Sequence, residues 1–370
     1  MRGAGSKTDA MGELETKALR RALLAWFRRH RRDLPWRGSR DPYRIWLSEV
    51  MLQQTQVATA IPYYERFVHR FPSVEALAAA PLDDVLAQWA GLGYYRRARS
   101  LHASARIVVR DHGGVVPSEP TAFGALPGVG RYTLGAVLSM GFGSALAVLD
   151  GNVARVLSRW AAAPLAVRRP ADAKRLWAMA EALVPGGGSR SGRHRDAGAW
   201  NEALMELGAT LCTPRSPACD RCPVRNWCRA HALERVDEFP PVAERRASVS
   251  LRRAIVLIES RGRTLVTRLE GSLLAGMWEP PGVDLEDDAD ARSALRRELS
   301  GLGIRVVRLA DTGERVRHTI THRKIEVEVW RAALAEPPPR ASGKLRWTTS
   351  GIRALALSAL ARRAMRTRAD

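Results

Sequence analysis

Two carboxylates and one glycine turn are the first groups in the chain that could do chemistry. The turn is Gly128-Val129-Gly130, within Leu126-Pro-Gly-Val-Gly-Arg-Tyr-Thr133, and an apolar helix-like run from Thr133 to Leu138 follows at once. Glycine permits close backbone approach, and the free N–H groups at a helix start suit an anion. Gly128 and Gly130 are therefore candidate phosphate-gripping positions. Asp150 follows within Leu149-Asp150-Gly151-Asn152-Val153, so the grip is succeeded by a carboxylate about one helix downstream. The other carboxylate is Glu49, in Ile45-Trp-Leu-Ser-Glu-Val-Met-Leu52. Its neighbours are apolar apart from Ser48. A carboxyl so placed is partly desolvated with a raised pKa, which is what a general acid needs.

The four cysteines of the chain, Cys212, Cys219, Cys222 and Cys228, have the spacing C-x6-C-x2-C-x5-C. Residues 1–17 contain no apolar core for a secretory signal, which disfavours two disulfides. Zinc is one alternative, although tetrahedral zinc sites usually pair two short C-x2–4-C turns and only one is present. A [4Fe–4S] cluster is the other, since four thiolates this close in sequence can enclose it. Arg215, Arg221, Arg225 and Arg229 are interleaved with the cysteines, so a metal clamp here would present a basic loop to phosphates.

These groups need elements to position them. After residues 1–12, expected to be disordered, Glu13–Arg31 sets Leu19, Leu23, Leu24, Trp26 and Phe27 against a basic face and reads as an amphipathic helix. Asp33-Leu34-Pro35-Trp36-Arg37 breaks it, and Asp41-Pro42 opens the helix that carries Glu49. Further helices are expected at Tyr63–Phe71, Val74–Ala80, Leu82–Ala90, Val153–Trp160, Lys174–Leu183 and Trp200–Leu211, with a flexible loop at 185–197. Gly91-Leu-Gly-Tyr-Tyr-Arg-Arg-Ala-Arg99 combines close-approach glycines, aromatic stacking faces and arginine charge. Residues 238–248 read as a linker. Beyond it the period shifts to strands at Ala254–Glu259, Thr264–Arg268 and Ile304–Leu309 and a hairpin at Arg315–Arg331, with helices at Ala289–Leu299 and Ile352–Arg363. The expected architecture is an all-α domain over 13–237 and an α+β domain over 249–370.

Composition bounds the partner. At 370 residues the chain holds about two domains, and a net charge of +21 with a pI near 11.1 points to a polyanion, most simply nucleic acid. Both halves are basic, with 34 basic against 22 acidic residues before position 240 and 25 against 16 after it. The uncharged stretch Tyr132–Leu149 is interrupted by glycines and serines and reads as a buried helix and turn, so no membrane role and a cytoplasmic location are expected.

The Gly128–Thr133 turn with Asp150 resembles the helix-hairpin-helix signature of base-excision DNA glycosylases, and the cysteine spacing resembles the cluster loop of the endonuclease III superfamily. Trp278-Glu-Pro-Pro-Gly282 followed by Arg297-Glu298-Leu299 resembles a degraded Nudix motif, with Gly301 and Leu302 where active hydrolases carry an acidic pair. Together with Leu34–Arg37, Trp46–Val57 and Gly91–Arg99, these segments are similar to the MutY-type adenine DNA glycosylases, which remove adenine mispaired with 8-oxoguanine. The resemblance implies a [4Fe–4S] cluster on the four cysteines and double-stranded DNA with A:8-oxoguanine or A:G mispairs as partner, bound by a monomer. It makes Glu49 the acid, Asp150 the sugar-facing carboxylate and Tyr132 the pocket tyrosine, with Asn152 beside them. Trp36, Arg37 and Glu202 would surround the flipped adenine. Gln54, Thr55, Leu92 and Tyr94 would wedge the duplex or meet the oxidised guanine. His318-Thr-Ile-Thr-His322 resembles the family's Phe-Ser-His recognition loop, with Thr321 and His322 placed to read that guanine.

A lyase of the endonuclease III kind needs a lysine soon after the hairpin turn. Tyr132 stands there, and no lysine occurs between Lys17 and Lys174, so a monofunctional hydrolase is expected. A non-catalytic iron–sulfur protein would leave Glu49 and Asp150 without roles. A Nudix phosphohydrolase lacks its carboxylates.

Overall fold

A computed structural model describes residues 13–186, 195–242, 247–270, 275–320, 323–335, 343–349 and 355–366. Residues 1–12, most of the 185–197 loop, and Thr321 and His322 lie outside the described residues. The helices are α1 (Glu13–His30), α2 (Pro42–Leu52), α3 (Val57–Arg70), α4 (Val74–Ala79), α5 (Leu82–Trp89), α6 (Arg96–His112), α7 (Pro120–Gly124), α8 (Arg131–Phe142), α9 (Gly151–Ala161), α10 (Pro170–Leu183), α11 (Arg195–Thr210), α12 (Arg229–Ala232), α13 (Ala291–Gly301) and α14 (Ala359–Ala364). The chain divides into two compact units, one of Met1–Val57 with Ile107–Glu244 and the other of Ala58–Arg106 with Arg245–Asp370. None of the described helices is long and apolar enough to cross a membrane.

The first unit is helical. Leu19, Leu23 and Phe27 of α1, Val153, Val156 and Leu157 of α9, and Trp200, Leu204 and Leu207 of α11 recur at three- and four-residue steps and meet in one buried core. Each such side chain contributes roughly 1.5–3 kcal/mol by leaving water. The same core takes in Leu211 and Val224, with Cys212, Cys222 and Cys228 packed against it, so the cysteine loop is seated on the helices. α2 packs on α8, and α11 lies against α1, α8 and α9. The α9–α11 contact needs Gly208, because a Cβ there would come within 2.6 Å of Asn152 Cβ.

Local signals start the helices. Asp41 accepts a hydrogen bond from Tyr43 N at 2.9 Å with Pro42 in the first turn, and Pro170 opens α10 before the expected Lys174. α3 begins at Val57 rather than Tyr63. Pro62 reads as a stop, yet the helix runs through it because Ala60, Tyr64 and Phe67 are buried on one side.

In the second unit the sheet order is β3 (Trp278–Glu279), β2 (Arg263–Arg268), β1 (Val249–Ser260), β6 (Arg323–Leu334), β5 (Val306–Ile320), with β4 (Gly282–Leu285) on β1 and β7 (Leu345–Thr348) on β2. β1 and β6 run parallel from Val249 opposite Arg323 to Ile258 opposite Ala332, while β5 and β6 form the long antiparallel hairpin. β1 is buried on both faces. Ala254, Val256 and Ile258 pack with Leu295 and Leu299 of α13, whereas Ile255 and Leu257 pack with Leu360 and Ala361 of α14. The last helix is shorter than its apolar run predicts. Leu355, Ala356 and Leu357 are buried in extended chain bridged to Trp278, and only then does Ser358 cap α14.

Candidate active site

Glu49, Tyr132, Asp150, Asn152 and Glu202 line one cleft of about 1450 Å³ in the first unit, together with Trp36, Arg37, Gln54, Thr55, Gly128 and Gly130. The candidates from this unit are thus brought together from four helices and three turns. Glu49 projects from α2 and is 5% exposed. Tyr132, in the first turn of α8, donates its hydroxyl to Glu49 Oε2 at 2.6 Å and lies 3.2 Å from Met205 Sδ. Burial pushes Glu49 up to about 7, the tyrosine bond opposes that rise, and the nearby charges of Asp150 and Glu202 add to it. Burial together with the Glu49 carboxyl also holds Tyr132 well above the usual phenol range, so it remains a neutral donor.

Asp150 caps α9. Its Oδ1 accepts from Val153 N at 2.7 Å and its Oδ2 from Asn152 Nδ2 at 3.0 Å. Burial raises its pKa, while those N–H donors favour the charged form. Asn152 is fixed in turn by Arg155, whose Nη2 donates to Asn152 Oδ1 at 2.9 Å and to Gly208 O at 2.8 Å, and whose Nε donates to Cys212 O at 2.7 Å. Arg155 and Gly208 were not legible in the sequence as site residues. Both act through contacts with partners more than fifty residues away.

The glycine turn has the geometry of an anion grip. Gly128 adopts φ +82°, open to glycine, and Gly130 is the N-cap of α8 with no side-chain cap of its own. Gln53 Nε2 donates to Thr133 Oγ1 at 3.2 Å, tying the end of α2 to the start of α8. Beyond α2, Gln54 takes φ +58°. Left-handed backbone is uncommon outside glycine and clusters at functional positions.

Leu92 and Tyr94 belong to the second unit. Leu92 is buried, and Tyr94 is 42% exposed, has φ +50° and carries the Arg97 guanidinium 5.3 Å from its ring. In the same unit, Asp83 pairs with Arg268 at 3.0 Å and Arg346 at 3.4 Å.

The cysteine loop fits an iron–sulfur cluster. The four thiols are unpaired by disulfides and line one small cavity beside Arg159, Leu207 and Val236. Burial lifts Cys219 and Cys228, and lifts Cys222 to about 12, so their ligation as thiolates requires the positive charge of bound metal. Arg159, fully buried, donates to Cys212 Sγ at 3.2 Å and to Thr213 O at 2.8 Å.

The chain matches the HhH-GPD superfamily of base excision DNA repair proteins over residues 47–179, the iron–sulfur binding domain of endonuclease III over 212–228, and the NUDIX domain over 253–367. It is 38% identical to the adenine DNA glycosylase of Rattus norvegicus across 90% of its own length and 74% of the relative's. The Homo sapiens adenine DNA glycosylase is 37% identical across 88% and 68% of the two chains. A thermostable thymine-DNA glycosylase of known structure superimposes with a TM-score of 0.52 at 32% identity, covering 60% of this chain and 98% of that one. Four clustered cysteines, a capped aspartate, a buried glutamate and identity at this level over most of both chains lead to one conclusion: the chain belongs to the adenine DNA glycosylases.

Proposed function

We propose that the enzyme excises adenine lying opposite 8-oxoguanine or guanine, as a monomeric, monofunctional hydrolase of the cytoplasm. The observation that carries the chemistry is Glu49, buried beside Tyr132 with its pKa lifted to about 7, in a cleft that also contains Asp150. Adenine leaves poorly until a ring nitrogen is protonated. Glu49 supplies that proton, and with Oε2 engaged by Tyr132 the donor is Oε1. Loss of the base leaves oxocarbenium character on the sugar. Asp150, which the N–H groups of Val153 and Asn152 favour as an anion, stabilises that charge from the helix start until water attacks.

Trp36, Arg37 and Glu202 hold the extruded base, and Gly128 and Gly130 hold the backbone next to it. Gln54, Thr55, Leu92 and Tyr94 occupy the gap in the duplex, and Thr321 and His322 read the opposite base. The cluster on Cys212, Cys219, Cys222 and Cys228 fastens a basic loop for phosphate contact. Tyr132 in place of a lysine supports hydrolysis without a Schiff base.

The test is adenine release from duplexes with A opposite 8-oxoguanine, G, C or T, assayed with and without alkali and with borohydride. Release from the first two, strand scission only after alkali and no trapped adduct are expected. Trapping as strong as that of a lyase refutes the monofunctional reading, and equal release from all four duplexes refutes the mispair preference.

A further inference from the structure

Glu206 lies on α11 one turn beyond Glu202 and is 1% exposed. Its Oε1 accepts from Arg32 N at 3.0 Å and Arg32 Nε at 2.8 Å, and its Oε2 accepts from Arg32 Nη2 at 2.8 Å and Arg37 Nη2 at 3.0 Å. Arg37 extends the network. Its Nε donates to Glu202 Oε1 at 3.2 Å, its Nη1 to Arg32 O at 2.9 Å, and its guanidinium lies 5.3 Å from the centre of the Phe27 ring. A guanidinium whose Nε and Nη2 meet two different carboxylates, whose Nη1 meets a backbone carbonyl and whose face meets an aromatic ring has little freedom to reorient.

We infer that Glu206 is a positioning residue for base excision: it fixes Arg32 and Arg37 and, through Arg37, the place of Glu202 and the charge balance that faces Glu49. This rests on the reading of Glu49 as the proton donor. The groups that face Glu49 are Tyr132 from α8, Asp150 at the start of α9, Glu202 from α11 and Arg37 from the segment before α2. Around Glu206 itself stand Arg32, Arg37 and Glu202. Burial would lift Glu206, but the bonds from Arg32 and Arg37 hold it at about 2, so it is an anion throughout the working range. Removing that anion leaves Arg37 less neutralised and the site one charge more positive, which favours ionised Glu49. Removing Arg32 changes the balance in the opposite sense.

The experiment is single-turnover adenine release against pH, with full-length cluster-loaded protein in excess over the DNA. In Glu206→Gln the midpoint of the alkaline limb should fall by about half a pH unit or more, and in Arg32→Met it should rise. Glu206→Asp keeps the charge and should keep the midpoint near that of the unsubstituted enzyme. A contact that matters only for folding would lower the rate or the melting temperature and leave the midpoint where it was. An unmoved midpoint in Glu206→Gln overturns the inference. If that variant does not fold, an unmoved or lowered midpoint in Arg32→Met overturns it. Glu49→Gln separates the two readings: a limb that survives there means Glu49 is not the titrating acid, whereas a limb that it abolishes but Glu206→Gln does not shift counts against Glu206 alone.

Discussion

The Tyr132 hydroxyl donates to Glu49 Oε2 across 2.6 Å, and it does so from the first turn of the helix that the Gly128–Gly130 grip introduces. On the proposed reading, backbone holding and proton donation are mechanically linked, because a phosphate seated at the turn would also seat the tyrosine that orients the proposed acid. Glu49→Gln preserves this contact geometry and removes the transferable proton. Adenine release should fall by at least about 10²-fold with DNA affinity retained, the low end for loss of a general acid. Near-normal single-turnover rates in this variant would remove Glu49 from the role.

The acid must carry its proton to work. With Glu49 lifted to about 7, adenine release should be greatest below neutrality and decline as pH rises through 7. The sign for stability follows from the same shift. A carboxyl whose pKa is higher in the folded state keeps its proton while the unfolded chain loses it, so stability drains away as pH climbs from about 4.5 to 7 and stays low above that. The loss is roughly 3 kcal/mol at most, taking about 1.4 kcal/mol per pH unit. Glu49→Gln should therefore melt higher than the parent at pH 8 and gain little at pH 5. Thermal melts at the two pH values check this, and a variant less stable at pH 8 would contradict it.

Asp150 caps α9 and, on the proposed reading, also faces the developing cation, and one substitution separates the two. Asparagine caps helices about as well as aspartate, so Asp150→Asn keeps the start of α9, but the developing cation loses its counter-charge. A fall of at least about 10²-fold in excision, in protein that still folds and binds duplex DNA, is expected. Wild-type rates would mean that the sugar is stabilised by some other group.

How far the sequence goes is visible residue by residue. Glu49 and the four cysteines could be picked out because each departs from an ordinary expectation, a carboxyl in an apolar helix and thiols at close spacing, whereas the glycine turn and Asp150, ordinary when taken singly, are legible through their succession and the family resemblance. Glu206 and Arg155 violate nothing locally. Each reads as a charged residue on an amphipathic helix, and its importance comes from partners such as Arg32 for Glu206 and Cys212 for Arg155, which only folding brings near. The same limit applies to elements. The long amphipathic helices and the apolar strand β1 are periodic enough to be read, whereas β3, β4 and β7 are two to four residues long and exist through pairing with β1 and β2. Helix starts are read late, since α3 begins at Val57 rather than Tyr63 and α10 at Pro170 rather than Lys174.

The cysteine loop is packed into the same core as α1, α9 and α11, so metal and fold are coupled. Cys222→Ser should yield protein that lacks the cluster's visible absorption and either precipitates or binds duplex DNA weakly. A soluble, metal-free variant with normal affinity would show that the loop is not a clamp.

Adenine carries no mark of damage, so under the proposed function the choice of substrate would depend partly on the opposite base. Thr321 and His322 fall in sequence between β5, which ends at Ile320, and β6, which begins at Arg323. A threonine hydroxyl and an imidazole can both meet the edge of an oxidised guanine, and each neutral hydrogen bond contributes about 1 kcal/mol. Changing both to alanine should therefore slow excision of A opposite 8-oxoguanine by roughly 30-fold while affecting A opposite G less. The comparison of the two substrates is what makes the measurement specific. A loss confined to the oxidised mispair assigns the hairpin to base reading, and an equal loss on both would reduce it to a source of general DNA affinity.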